Sequence, residues 1–319
     1  MGEDAQKIGK KLESFSWNLF DTFGWSEKFR DKQINCNRTA HKNSKDLDKK
    51  THGIDIYFEH EDPYINKMQG VFIECKNRQW TSINKSSIEN WVAELINTME
   101  CASSYDELQG HYCMDSDRNC GLLLINANDN MFNKEKFYNY LNDLVCKSKK
   151  MPFKVFVAGN DMINKWWAIN NINATDYKIS LQYIYLSINN SRPLKNQALS
   201  INQLFSKYIF AEYEYEKSTI LSGQKIRSME KKAVILCFDD IGMDCFNYLW
   251  SMCRFYQFET TYKEFDICFY PSSSKDVEYV KEHFLTSLKQ YEGGIDNEVL
   301  AGISIKFLQN RNLNVVENG

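Results

Sequence analysis

Short strand-like segments alternate with amphipathic helical segments along most of this 319-residue chain. The strand-like segments are rich in β-branched and aromatic residues, which favours the extended conformation. They are GIDIYF (53–58), GVFIECK (70–76), GLLLINAND (121–129), FKVFVAG (153–159), YKISLQYIYLSI (177–188), AVILCF (233–238), FDICFY (265–270) and ISIKFL (303–308). The alternation predicts an α/β fold, with a mostly parallel sheet in the second half of the chain.

The length predicts about two domains of roughly 150 residues each. We place the boundary near residue 150, giving domains 1–150 and 151–319, both of α/β type. Hydrophobic residues make up 43% of the chain and aromatic residues 14%. Both domains can therefore bury an apolar core, and this excludes a largely disordered protein.

Hydropathy and cysteine content bear on where the protein works. The N-terminus has no apolar core of a secretion signal, and no segment approaches the ~18 consecutive apolar residues of a membrane span. The 10 cysteines are scattered without a CxxC pair, which indicates reduced thiols and not a disulfide framework. His111, Cys113 and Cys120 lack an evident fourth ligand, so we predict no zinc site there. We expect a cytoplasmic protein with no membrane partner.

The formal net charge is −3, so any affinity for nucleic acid must come from local basic surface. Residues 27–50 carry an excess of basic over acidic side chains and predict a polar loop. This loop is either simply solvated or in contact with DNA. In the second case its candidate contacts are Lys42, Lys45, Lys49 and Lys50.

Acidic residues within two apolar strands are the strongest chemical signal. Residues two apart on a strand point the same way, so Glu74 and Lys76 present an acid and an amine together. Asp55 lies inside the preceding strand, where composition disfavours aspartate. Two converging carboxylates suit Mg²⁺ or Mn²⁺ better than zinc. Such an ion would activate water and polarise a phosphate, while Lys76 would offset charge in the transition state.

This pattern resembles the restriction-endonuclease-like PD-(D/E)XK nuclease superfamily, which combines a helix bearing an acid, a strand bearing Asp and a strand bearing (D/E)-x-K. The matching residues here are Glu13, Asp55, Glu74 and Lys76, and the resemblance covers roughly residues 1–130. The first helix, IGKKLESFSWNLFDTFGW, is similar to that of the Mrr-type and resolvase-like branches. The resemblance implies a mixed sheet flanked by helices, a catalytic role for the four residues and metal binding by Asp55 and Glu74.

The position of the tripeptide on its strand distinguishes Glu74-x-Lys76 from similar tripeptides. Asp48-x-Lys50, Asp176-x-Lys178 and Glu230-x-Lys232 also occur, but none follows an Asp-bearing strand and an acid-bearing helix. Ile54 replaces the Pro of the superfamily's name. His52 and Gln79 flank the two strands and are candidates to contact the substrate, although ordinary turn and hydrogen-bonding roles are the alternative for both.

The resemblance implies a metal-dependent DNA endonuclease, and analogy with the Mrr-type branch suggests bacterial defence against phage DNA. The second domain would select the substrate or bind a partner protein. A homodimer is an option because cutting both strands of a duplex requires two reaction centres. The alternative is a DNA-binding or sensor subunit that keeps the nuclease fold without turnover. Cleavage of RNA ranks last, because no base-stacking sheet motif is present.

Overall fold

The computed structural model describes residues 2–42, 47–145, 152–186, 194–221, 224–291 and 294–310. The described chain forms two compact units, one ending at Asn164 and one spanning Lys165–Arg311. Each unit contains its own sheet. No helix in these described ranges has the length and apolar character required to cross a membrane.

The first unit contains a five-stranded mixed sheet. Its helices are α1 (Gly2–Thr22), α2 (Lys85–Ala102), α3 (Asp106–Gln109) and α4 (Lys134–Asn142), and α5 (Asn160–Asp176) runs across the boundary in sequence. Its strands are β1 (Ser26–Asn35), β2 (Thr51–Asp62), β3 (Lys67–Arg78), β4 (Asp117–Ala127) and β5 (Lys154–Ala158). The strand order is β1-β2-β3-β4-β5. β1, β2 and β3 pair antiparallel, whereas β3, β4 and β5 pair parallel.

Helices cover both faces of this sheet. Alternate residues of β3 point in opposite directions, so Phe72 packs in the core that contains α2, whereas Cys75 contacts Ser16 of α1. The helix α2 begins at the N-cap Asn84, whose side chain accepts a hydrogen bond from the backbone N–H of Ser87. The predicted α/β fold with a mixed sheet flanked by helices is confirmed.

Two strands of the first unit differ from the predictions. Residues 26–35 form β1 and not a loop, because Phe29 and Ile34 are buried against the sheet although most of their neighbours are polar. A register shift between Glu27 and Phe29 breaks the alternation that marks a strand in sequence. FKVFVAG contributes β5 to the first sheet, where it pairs with β4, so this unit extends beyond residue 150.

The second unit contains a six-stranded sheet. Its remaining helices are α6 (Ile201–Leu204), α7 (Met243–Phe255), α8 (Phe258–Thr261), α9 (Ser274–Lys289) and α10 (Asn297–Ala301). Its strands are β6 (Gln182–Tyr185), β7 (Leu194–Asn196), β8 (Tyr208–Leu221), β9 (Gln224–Cys237), β10 (Glu264–Phe269) and β11 (Ile303–Phe307), in the order β11-β10-β9-β8-β6-β7.

This second sheet is mixed, and the prediction of a mostly parallel sheet was wrong. Only β9, β10 and β11 pair parallel, whereas β8 pairs antiparallel with both β9 and β6. β8 and β9 follow one another almost directly in the chain, and so short a connection permits only antiparallel pairing. The polar and aromatic segment AEYEYEK (211–217) belongs to this long hairpin.

Candidate functional site

Asp55 lies where β2 and β3 separate. The regular pairing of these strands ends at Ile56 opposite Ile73, and Asp55 directly precedes Ile56 in β2. Its Oδ2 accepts a hydrogen bond of 2.8 Å from the backbone N–H of Cys75. The half-buried Asp55 carboxylate therefore occupies the position at which a backbone carbonyl would continue the ladder.

Glu74 and Lys76 lie on the same face of β3 and form an ion pair. Their side chains are only 14% and 15% exposed, respectively, so this pair is largely removed from water. Cys75, between them, points to the opposite face. The strand period that predicted a shared face for Glu74 and Lys76 thus describes the observed geometry.

The two carboxylates disfavour each other's ionisation. Burial, followed by the negative charge of Asp55, raises the pKa of Glu74 to about 7, although Lys76 opposes the shift. Burial also raises the pKa of Asp55, against the hydrogen bond from the Cys75 N–H and the charge of Lys76. Burial lowers the pKa of Lys76, but the neighbouring carboxylates, Glu74 foremost, raise it further, so its ammonium group is retained at neutral pH.

This arrangement holds more negative charge than Lys76 alone neutralises. Two carboxylates share one ammonium group, and the charge of Glu94 on α2 adds to the negative potential at Glu74. All the available acceptors are oxygen atoms, which are the ligands that Mg²⁺ and Mn²⁺ prefer. The donor set at Asp55 and Glu74 therefore fits a divalent cation, whose positive charge would favour the ionised form of both carboxylates.

Glu13 lies on α1, the helix whose Ser16 contacts Cys75. It is half-buried on α1, and its charge raises the pKa of the Cys75 thiol, an effect that follows burial and the charge of Asp55 in size. The structure therefore places Glu13 near Cys75 of β3. Its part in the reaction centre stays a prediction.

Comparison of the sequence with protein families gives one result that bears on this site. Residues 1–162 match the family model described as the GAPS4 protein PD-(D/E)XK nuclease domain. The chain belongs to this family. The match spans the first sheet from α1 to β5, and it confirms the resemblance to the PD-(D/E)XK superfamily. A search of curated proteins gives no match.

The basic residues predicted to contact DNA in this nuclease domain have different surroundings. Lys42 Nζ lies 2.5 Å from Asp48 Oδ1, and Lys49 Nζ lies 3.6 Å from Glu94 Oε1. Glu94, the acid that Lys49 contacts, also contributes to raising the pKa of Glu74. The side chain of Lys50 is exposed. Lys45 lies outside the described residues.

The other two candidate substrate contacts, Gln79 and His52, differ in their exposure to solvent. Gln79 is exposed directly after β3, and its backbone carbonyl accepts hydrogen bonds from the N–H and hydroxyl of Ser82. His52 is only 1% exposed, so its ring is not presented to a DNA phosphate. Burial, with the charges of Lys49 and His41, lowers the pKa of His52 to about 4, and the ring is neutral at physiological pH.

The other (D/E)-x-Lys tripeptides in the described parts of the chain form ordinary surface or structural contacts. Lys232 Nζ lies 2.6 Å from Asp266 Oδ2, and Glu230 is exposed on β9. Glu94 was not identified from the sequence, because an acidic residue at a polar position of a helix is not distinctive. Sequence reasoning also missed a cluster of cysteine and histidine side chains that includes His52, because its members lie far apart in sequence.

Proposed function

We propose that the first unit is a Mg²⁺- or Mn²⁺-dependent DNA endonuclease that hydrolyses phosphodiester bonds at Asp55, Glu74 and Lys76. The observation that carries this proposal is the half-buried group of two carboxylates and one ammonium at the point where β2 and β3 separate. A purely structural ion pair would not require the second carboxylate, which raises the pKa of Glu74. Membership of a nuclease-domain family supports the same reading.

Each of the three residues has a distinct task in this proposal. Asp55 and Glu74 would hold the cation, which would polarise a phosphate oxygen of the DNA. The hydrogen bond from the Cys75 N–H fixes the orientation of the Asp55 carboxylate before any ligand arrives. Lys76, which keeps its proton at neutral pH, would orient the attacking water and compensate the negative charge that develops on the phosphate.

The test is a cleavage assay with supercoiled, linear and branched DNA and with RNA, in the presence of Mg²⁺. We expect the wild-type protein to cut DNA and Glu74→Gln to reduce the rate by about two to three orders of magnitude. Glu230→Gln is the matched control, because Glu230 also precedes a lysine by two residues on a strand but is exposed. This control should cut at the wild-type rate.

Other outcomes of this assay would reject parts of the proposal. Equal cleavage by the wild type and Glu74→Gln would place the reaction elsewhere in the chain. Cleavage of RNA alone would change the substrate class. Tight DNA binding without cleavage under any divalent cation would favour the alternative of a sensor or DNA-binding subunit.

We further propose that the nuclease acts in bacterial defence against phage DNA, inside the cytoplasm where that DNA enters. In this proposal the second unit selects the substrate or joins a partner protein, and two copies act together when both strands of a duplex are cut. The setting is tested by plating phages on cells that express the wild-type protein or Glu74→Gln. Fewer plaques with the wild type than with the variant support it, and equal plaque numbers across a broad phage panel contradict it.

A further inference from the structure

Two cysteines and two histidines meet at one end of the first unit. Cys36 directly follows β1, His41 lies in the connection to β2, His52 is the second residue of β2, and Cys101 is near the end of α2. One side-chain donor atom from each of these four residues lies within 4.8 Å of all the others. His41, His52 and Cys101 are buried, and Cys36 is half-buried.

Four of the six distances between the donor atoms are close to the edges of a tetrahedron around a metal ion, and the other two are within 4.8 Å. His41 Nδ1 lies 3.3 Å from His52 Nε2, 3.4 Å from Cys36 Sγ and 3.5 Å from Cys101 Sγ. The two Sγ atoms are 3.9 Å apart. Tetrahedral zinc bonds of ~2.0–2.1 Å to nitrogen and ~2.3 Å to sulfur separate neighbouring ligands by about 3.3–3.8 Å. The nitrogen–nitrogen distance is the shortest of the four and the sulfur–sulfur distance is the longest, as expected because zinc–nitrogen bonds are shorter than zinc–sulfur bonds.

We propose that Cys36, His41, His52 and Cys101 bind one structural Zn²⁺ ion. Two thiolates and two imidazoles are a preferred ligand set for tetrahedral zinc, and the hard cations Mg²⁺ and Ca²⁺ bind such ligands poorly. The chain supplies all four ligands, so the coordination sphere is complete without water or substrate. The proposal therefore assigns this site a role in holding the fold together and none in catalysis, and it does not depend on the proposed nuclease activity.

The second nitrogen of each histidine has an acceptor that suits this role. His41 would bind zinc through Nδ1, and its Nε2 lies 3.1 Å from Glu100 Oε2. His52 would bind through Nε2, and its Nδ1 lies 3.4 Å from Thr98 Oγ1. Metal-binding histidines characteristically donate their remaining N–H to a carboxylate or another oxygen, which fixes the tautomer and orients the ring.

A disulfide between Cys36 and Cys101 is the competing explanation for the cluster. The Sγ atoms are 3.9 Å apart, well beyond the ~2.05 Å of a disulfide bond. A disulfide would also give no reason for two buried imidazoles to point their nitrogens at the same centre. Zinc accounts for all four side chains at once.

Zinc at this position would join three elements and the basic connection between them. It would fix the end of β1, the start of β2 and the C-terminal turn of α2. The connection from Cys36 to His52 carries Lys42, Lys49 and Lys50, so the same ion would restrain the segment predicted to approach DNA.

The test begins with elemental analysis of the full-length protein, purified without chelators and dialysed extensively. We expect one zinc ion per chain in the wild type and in Asp55→Asn, because Asp55 belongs to the other site. Cys36→Ser and His52→Ala should lower the zinc content to near zero. Cys113→Ser is the matched control, since Cys113 is also a half-buried cysteine of this unit, and it should retain the zinc.

A second measurement avoids dependence on variants that fail to fold. The wild-type protein loaded with Co²⁺ should show the sulfur-to-cobalt charge-transfer absorption and the intense visible bands of a tetrahedral site. Removal of the metal should expose the Cys36 and Cys101 thiols to alkylation. A zinc-free wild type without these cobalt bands would overturn the proposal. A Cys36–Cys101 disulfide found by mass spectrometry, or zinc lost in Asp55→Asn but kept in Cys36→Ser, would do the same.

Discussion

At the scale of single residues, the surroundings of Glu74 control its ionisation. Its side chain is 14% exposed and shares Lys76 with a second carboxylate. Burial and the charge of Asp55 together raise its pKa to about 7, so near neutral pH the group changes between its neutral and ionised forms. A cation bound at this site would compete with the proton for the same carboxylate.

This pKa shift leads to a prediction about stability and pH. The folded chain binds a proton at Glu74 more tightly than the unfolded chain, whose ordinary value is 4.5. The stabilising contribution is therefore complete below the unfolded pKa and is lost as pH rises through about 7. With Mg²⁺ omitted, the free energy of unfolding of the wild type relative to Glu74→Gln should fall by up to about 3 kcal/mol between about pH 5 and about pH 8.

Urea denaturation of both proteins at each pH measures this difference. Comparison with the variant cancels the contributions of titrating groups that do not interact with Glu74, such as His60, whose pKa is lowered by burial. Addition of Mg²⁺ at the higher pH should restore stability to the wild type and leave Glu74→Gln unchanged. A difference that is independent of pH would show that Glu74 is not buried beside Asp55 as described.

Sequence reasoning at the residue scale worked where a local rule applied. The two-residue period of a strand placed Glu74 and Lys76 on one face, as observed. His52 was a candidate substrate contact because it lies just before the Asp-bearing strand, with an ordinary hydrogen-bonding role as the alternative, and its ring is buried beside His41 and Cys101. Contacts between residues this distant in sequence depend on the tertiary fold, and no local pattern encodes them.

At the scale of secondary structure, the close pairing of β2 and β3 positions the site. Gly70 on β3 faces the buried ring of Tyr57 on β2, and a Cβ atom at residue 70 would lie 2.7 Å from Tyr57 Cζ. The hydroxyl of Tyr57 donates a hydrogen bond to Glu59 and lies 3.3 Å from Ser116 Oγ, so the ring has little freedom to move. Gly70 thus leaves the space that the Tyr57 ring occupies on this face of the sheet.

We predict that Gly70→Ala destabilises the protein by about 1–3 kcal/mol through this overlap. Gly53→Ala is the matched control, because Gly53 lies on β2 and a Cβ atom there would meet nothing within 4 Å. The control should change stability by no more than about 0.5 kcal/mol. Thermal or urea denaturation measures both values, and equal stability of the two variants would contradict the described packing.

The elements themselves could be predicted in part from the sequence. The continuous apolar segments of β3, β4, β9 and β10 were correctly identified as strands. Strands that are buried on both faces contain few polar residues, so they can be recognised in the sequence. β1 was not identified, because only Phe29 and Ile34 of its ten residues are buried hydrophobic residues. The antiparallel hairpin of β8 and β9 also escaped prediction, since its outer part is polar and exposed.

At the scale of the whole molecule, 39 basic and 42 acidic side chains nearly balance. The net charge of −3 gives no general attraction to DNA, so binding must depend on a limited number of lysines and arginines. Lys50 is exposed directly before β2, the strand that carries Asp55. Lys67, also exposed, begins β3 at the opposite end from Glu74 and Lys76.

We predict that Lys50→Ala weakens DNA binding and lowers the slope of log K against log salt concentration by about one, as expected for one lost phosphate contact. Lys67→Ala is the matched control and should leave the slope unchanged. Fluorescence anisotropy with labelled duplex DNA at several salt concentrations measures both slopes. Equal effects of the two substitutions would show that the basic segment before β2 does not face the DNA.

The central claim is that Asp55 and Glu74 together hold a divalent cation beside Lys76. It is tested most directly by an anomalous difference map from crystals grown with Mn²⁺, recorded above the manganese absorption edge and below that of zinc. We predict one peak at bonding distance, about 2.0–2.6 Å, from carboxylate oxygens of both Asp55 and Glu74, and no such peak in Asp55→Asn. A manganese ion bound elsewhere, with both carboxylates uncoordinated in a protein that cleaves DNA, would contradict it.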